Sequence, residues 1–404
     1  MKSLFFEKSL PRILTLKLSS IFNKNAAFGR FAPVQYAEVK EPEIPNSRWL
    51  KIKNTSCGLC GTDIHFLFMD MDPKCFPAAL PGVTRKYLGH ELVGEIIELG
   101  EDVEDFSIGD RVTMRIDWLS CYQLEIDPPC RQCKSGNYML CENLGKSGSP
   151  IPDNGGGFSP VMVMHKSQPV KLPEGLDDER AILVEPAACA IHTVMKRKPE
   201  KEETILVIGA GTIGLLTTAV AKTVSPESHV VCLARYPFQA EIAKQLGADD
   251  VLMDKKEIYK DIAEHTGGKH FKGYFGNEIL LGGFDVIYDT VGSDRTVNNA
   301  LRWARGGGGV VLSGINFKPG KIDYSTIWNQ EIHFTGINCH AIEFTGKTSF
   351  ELSIAFLTET GFPVEKIITH HFPMENYQEA VKAFLSKKDT HAIKIVLDHL
   401  NPPK

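Results

Sequence analysis

No run of about 18 consecutive apolar residues occurs in this chain, so the sequence offers no membrane-spanning helix and no membrane partner is expected. A secretory signal is not expected either, because Glu7, Lys8 and Arg12 interrupt the apolar runs near the N-terminus. Positive charge is not in excess. The 45 Lys and Arg face 50 Asp and Glu, a formal net charge of −5, and nucleic acid is not an expected partner. Internal repeats, heptads and low-complexity tracts are also lacking. The ten cysteines do not show the spacing of a disulfide framework. Cys121, Cys130, Cys133 and Cys141 crowd together, with Cys57 and Cys60 upstream. In a long chain that pattern reads as metal binding in a reducing compartment, so a cytoplasmic location is expected.

What is present is an ordinary globular composition. Hydrophobic residues make up 43 % and charged residues 24 % of 404 residues. At roughly 150 residues per domain this length suggests two or three domains. The first half is β-rich: WLKIKNTSCG from Trp49, ELVGEIIELG from Glu91 and GDRVTMRIDW from Gly109 are short strand-like runs. Residues 121–160 are irregular, which a compact domain tolerates when something else, such as a metal, orders them. Near residue 180 the pattern changes. ERAILVEPAACAIHTVMKR reads as one helix. Apolar strands at 204–209, 229–234 and 284–291 then alternate with amphipathic helices, which implies an α/β fold with a parallel sheet. Two helical patterns and a last strand, AIKIVLD (392–398), follow from about residue 343.

The segment Gly209-Ala-Gly211-Thr212-Ile213-Gly214 closes the strand TILVIG and opens a helix, the context a dinucleotide fingerprint requires. Gly209 makes the turn, Gly211 admits the pyrophosphate and Gly214 lets helix and strand pack, with the helix N-terminus facing the phosphates. About 20 residues further on, an NAD site presents a carboxylate to the ribose. Here Ala234, Arg235 and Tyr236 stand instead. Arg235 suits a 2′-phosphate and Tyr236 suits the adenine, so NADP(H) is favoured over NAD(H).

Two segments carry metal-ligand chemistry: Cys60-Gly-Thr62-Asp63-Ile-His65 and Gly89-His90-Glu91-Leu-Val-Gly94. A catalytic zinc keeps about three protein ligands and an open position, and a thiolate, an imidazole and a carboxylate leave such a site roughly neutral. From about residue 37 onward the chain resembles the zinc-dependent medium-chain alcohol dehydrogenase superfamily. GHELVGEIIELGEDV (89–103), CGTDIH, GDRV (109–112), the glycine motif and AIKIVLD match in order. The resemblance implies a GroES-like catalytic zinc domain over 1–185, a Rossmann domain over 186–340 and a segment 341–404 that returns to the catalytic domain. It further implies Cys60 and His90 as zinc ligands, Glu91 as a carboxylate that ligates in some branches, Asp63 as the residue orienting His90, and Thr62 with His65 as a proton relay. Glu185, in Glu185-Pro186, resembles the metal-site glutamate of the polyol and threonine dehydrogenase branches. The stretch up to residue 37 is longer than is usual in the family.

Cys130, Cys133 and Cys141 resemble the last three positions of that family's structural zinc lobe. Asp127 stands where the first cysteine belongs. Either Asp127 supplies oxygen to the metal, or Cys121 loops in, or the lobe is empty; spacing favours Asp127. The resulting expectation is a zinc-dependent alcohol dehydrogenase moving hydride between a secondary alcohol, polyol or amino alcohol and NADP(H). A biosynthetic dehydrogenase of specialised substrate shares that chemistry. A non-catalytic NADPH-binding descendant would lack metal or relay residues, and here they are complete. Arg85 or Lys86 is available to an anionic substrate, and the resemblance suggests a homo-dimer or homo-tetramer through the sheet edge near 334–338.

Overall fold

The computed structural model describes residues 1–404 except 24, 81–83, 118, 145–152, 256 and 400–404. The chain divides into two units, Met1–Glu185 with Ile368–Lys404 and Pro186–Ile367. No helix among the described residues is long and apolar enough to cross a membrane.

Trp49–Gly58 organises the first unit. Leu50, Ile52 and Asn54 alternate inward while Lys51 and Lys53 point away, the period-two pattern of a strand with one face in a core. It pairs antiparallel with Glu91–Leu99, Val161–His165 and Lys394–Asp398. Arg111–Met114, Pro169–Lys171 and Ile368–Pro373 complete a seven-stranded sheet. Leu50, Ile52, Leu92, Ile96 and Leu397 belong to its core. The register sets Gly58 opposite Glu91. A Cβ at position 58 would stand 2.2 Å from Glu91 Oε2, so only glycine leaves room for that carboxylate.

A second sheet of this unit is built from Val34–Glu38, Lys2–Glu7 and Arg85–Tyr87, all antiparallel. The extra length before residue 37 is therefore an insertion between two paired strands. It forms the helix Leu10–Ser19 and a short turn of 3-10 helix, Ala26–Phe28.

The second unit holds a six-stranded sheet with every pairing parallel. In space its strands run Asp250–Met253, His229–Ala234, Thr204–Ile208, Phe284–Asp289, Ala304–Leu312 and His333–Gly336. The first strand in sequence lies inside the sheet, and the chain winds outward from it in both directions, as in dinucleotide-binding folds. Ile205, Leu206, Val207 and Ile208 are all buried, as a strand covered on both faces requires.

Two expectations are corrected. The helix read from residue 179 is two helices, Asp178–Ala181 and Val184–Lys196, separated by a turn. The return to the first unit comes at Ile368 instead of 341. Residues 341–367 stay in the second unit because their side chains are satisfied there. Glu343 meets His192 Nδ1 at 3.0 Å, and Phe362 sits against Gly247, where a Cβ would stand 2.7 Å from the ring.

Candidate functional site

Cys60 is the N-cap of the helix Gly61–Phe68. Its N–H donates to Asp63 Oδ2 at 3.1 Å, and Asp63 Oδ1 accepts from the N–H of Gly89 at 3.2 Å. One buried carboxylate thus ties the Cys60 turn to the turn that carries His90. His90 Nδ1 lies 3.9 Å from Asp63 Oδ1. Glu91 follows as the first residue of its strand. The ligand atoms of Cys60, His90 and Glu91 all lie within 4.8 Å of one another. Burial pushes the Cys60 thiol well above its ordinary value, and the charges of Glu91 and Asp63 push it further. A thiol, an imidazole and a carboxylate gathered in so small a space fit a divalent cation of the zinc type.

Sequence reasoning missed one member of this group. Lys394 Nζ donates to Glu91 Oε2 and, at 3.3 Å, to the carbonyl of Leu59. Both side chains of the pair are 3 % exposed. Burial alone would lower the Lys394 amine, but Glu91 and Cys60 raise it above its ordinary value. The signal was a lysine inside the apolar run Ile393–Leu397, where every strand residue proves buried. Glu185 is buried in the first turn of Val184–Lys196. Its charge also raises the Cys60 thiol, although its carboxylate is outside the group of mutually close ligand atoms.

Thr62 Oγ1 lies 3.7 Å from Cys60 Sγ. His65 is one turn further along the same helix, 28 % exposed, with Nδ1 at 2.7 Å from Asp70 Oδ1. Arg85 is already engaged, pairing with Asp153 at 2.8 Å and covering the Phe5 ring. Lys86 lies over the Phe66 ring at 4.4 Å.

In the cysteine lobe the fourth corner is Cys121, which corrects the preference for Asp127. The sulfur atoms of Cys121, Cys130, Cys133 and Cys141 lie within 4.8 Å of one another, with Cys121 and Cys141 3.7 Å apart. Asp127 is exposed to solvent. The physical reason is a turn: the N–H of Ile126 bonds back to the carbonyl of Cys121 at 2.8 Å, so the chain doubles on itself before Cys130. Backbone N–H groups point at the sulfurs, Cys130 to Cys121 at 3.3 Å and Asn143 to Cys141 at 3.4 Å. Burial opposes ionisation of Cys130, yet the N–H groups of Cys133 and Glu142 pull it down to about 6. Four sulfurs with such donors fit a structural zinc.

The glycine motif has the geometry a pyrophosphate cradle needs. Gly209 has φ +101°, and a Cβ on Gly214 would meet the Gly209 carbonyl at 1.8 Å. Gly211 caps the helix Thr212–Val224 without any side-chain bond, leaving its first N–H groups for an anion; Thr212 and Ile213 are half-buried there. Arg235 is exposed at the end of His229–Ala234, with its guanidinium 5.6 Å from the Tyr236 ring centroid. Asp254, the nearby carboxylate, is bound to Arg295 by two hydrogen bonds. A further group, His229, Asp250 and His265, is partly exposed and reads as a solvated surface cluster, with His229 Nε2 3.0 Å from Asp250.

Comparison with known proteins places the chain in a family. Residues 46–174 match the alcohol dehydrogenase GroES-like domain, and 212–359 match the zinc-binding dehydrogenase family. L-threonine 3-dehydrogenase of Yersinia pestis is 30 % identical over 355 residues, covering 87 % of this chain and 93 % of that one. An alcohol dehydrogenase from Escherichia coli, solved with NADH, superposes with a TM-score of 0.74 at 24 % identity over 98 % of this chain and 99 % of its own. A zinc-binding dehydrogenase from Sinorhizobium meliloti, bound to NADP, gives 0.68 at 24 % over 90 % and 95 %. The chain belongs to the zinc-dependent medium-chain alcohol dehydrogenase superfamily and is an oxidoreductase acting on CH–OH groups.

Proposed function

We propose that this enzyme moves hydride between NADP(H) and a secondary alcohol, polyol or amino alcohol, and that Cys60, His90 and a glutamate hold its catalytic zinc. The observation that carries the reading is the convergence of half-buried Cys60 with buried His90 and Glu91 beside the Lys394 amine. Zinc, when bound, supplies Lewis acidity that lowers the pKa of the substrate hydroxyl, and the nicotinamide accepts the hydride. The chain's own groups manage the proton. Thr62, beside Cys60, receives it from the hydroxyl, and His65, near the surface and backed by Asp70, hands it to water. Asp63 fixes the His90 ring.

Lys394 gives the two glutamates separate duties. With Glu91 held by the amine, Glu185 would be the carboxylate available to a bound zinc, and Glu91 would be available to it only when free of Lys394. The missing ribose carboxylate and the exposed Arg235 support NADP(H). Cys121, Cys130, Cys133 and Cys141 hold a second, structural zinc. The strand His333–Gly336 closes one edge of the six-stranded sheet, and we assign it to pairing between two copies of the chain. The ten free thiols accord with the cytoplasm.

A panel of secondary alcohols, polyols and amino alcohols, each offered with NADP and with NAD, tests this function. Turnover of at least one class with NADP preferred is the expected result. Preference for NAD would remove the role given to Arg235, and no turnover of any class would remove the substrate reading.

A further inference from the structure

We infer that the insertion between Lys2–Glu7 and Val34–Glu38 is a docking surface for an anionic lipid bilayer. Residues 8–37 contain Lys8, Arg12, Lys17, Lys24 and Arg30 and not one Asp or Glu, in a chain whose formal charge is −5. The absence of a spanning helix says nothing against such a surface, because an interfacial helix lies in the plane of the headgroups.

The insertion is pinned to the fold on one side. Leu16 is buried, and Ile13 packs against the core of the first unit. Arg12 donates to the carbonyls of Arg30 and Ala32, each at 3.1 Å, and so ties the helix to the returning chain. The other side is apolar and open. Leu10, Leu14 and Leu18 recur every four residues along the helix Leu10–Ser19 and are 68 %, 51 % and 66 % exposed. Ile21 at 70 %, Phe22 at 92 % and Phe31 at 64 % extend the same kind of surface beyond it. Lys8, Lys17 and Arg30 are exposed among them.

Exposed apolar side chains alone fit a protein partner as well as a lipid one. The charge decides. Arg12 is paired with Glu7 at 3.5 Å, which leaves Lys8, Lys17 and Arg30 as the exposed cations among the described residues of the insertion. A partner must accept leucine and phenylalanine while meeting these cations, and a bilayer with anionic headgroups offers both at once. A second copy of the chain would set this cationic face against an identical one. The consequence is an enzyme held at a membrane surface without a helix, among the described residues, long and apolar enough to cross it.

The test is flotation of the zinc-loaded protein with vesicles of phosphatidylcholine alone and of phosphatidylcholine with phosphatidylglycerol. Wild type is expected to float with the anionic vesicles, less with the neutral ones, and to be released by salt. Leu14→Glu with Leu18→Glu, both at exposed positions, is expected to weaken binding by about tenfold or more with turnover in solution unchanged. Lys17→Glu serves as a milder second variant and should weaken binding in the same direction. Wild type that stays off anionic vesicles, or floats equally with both kinds, overturns the proposal. So does a double variant that floats like wild type. If wild type stays off vesicles and the double variant instead changes the oligomeric state, the face is a subunit contact and the proposal falls.

Discussion

Lys394 shows how one side chain sets the chemistry of its neighbours. A buried lysine is tolerated only with a partner, and here the partner is Glu91. Replacing Lys394 by Met leaves Glu91 buried without its counter-charge. In the metal-free protein this is expected to cost about 3–5 kcal/mol, read as a lower Tm. With zinc present the released Glu91 would be available to the metal throughout, so metal retention should hold or rise while turnover falls. A variant that loses zinc as well would contradict the division of duties between the glutamates. Arg235→Asp should weaken NADP(H) binding about 10–100-fold by titration of the cofactor, since a charge-assisted pair is replaced by repulsion. At this scale the gathering of Cys60, His90 and Glu91 was legible because they sit in motifs whose spacing carries meaning. Lys394 was not, because its partner lies three hundred residues upstream and only the strand register brings them together.

Elements explain where counting along the chain succeeds and where it misleads. Trp49–Gly58 and Thr212–Val224 fall where the alternation and the glycine motif put them, since local pattern decides both. The cysteine lobe is different. Its fourth corner depends on a turn that folds residues 121–126 back on themselves, and spacing in sequence is blind to such a turn. Cys121→Ser is therefore expected to lower the zinc content by about one per chain and to lower Tm, whereas Asp127→Asn should change neither. Zinc lost from the Asp127 variant would restore the carboxylate to the site. The break at residues 182–183 has the same lesson on a smaller scale. An apolar stripe continued through the turn, so periodicity alone joined two helices.

For the molecule as a whole, the long-range pairings close the first unit from residues far apart in sequence. His371 on Ile368–Pro373 reaches Asp398 at 3.0 Å and Glu179 at 3.1 Å. The hydrogen bond to Asp398 raises its pKa above the ordinary value, with the two carboxylate charges adding to it. Its folded pKa is higher than the unfolded one, near 6.5, so the pairing stabilises fully below that pH. The stabilisation fades as pH climbs through the raised folded value. His371→Gln should accordingly lower Tm more at pH 6 than at pH 9, and an equal loss at both would deny the protonated clamp. The parallel sheet was legible from strand–helix alternation, but the order of its six strands and the switch of units at Ile368 were not, because both rest on contacts between distant residues, such as Glu343 with His192.

The central claim is that Cys60 and His90 hold the metal that makes this chain a dehydrogenase. Zinc content and turnover of Cys60→Ala, measured together against wild type, test it most directly. The account predicts a loss of about one zinc per chain, the cysteine lobe keeping its own, and turnover reduced to background. A Cys60→Ala enzyme with full turnover would contradict it.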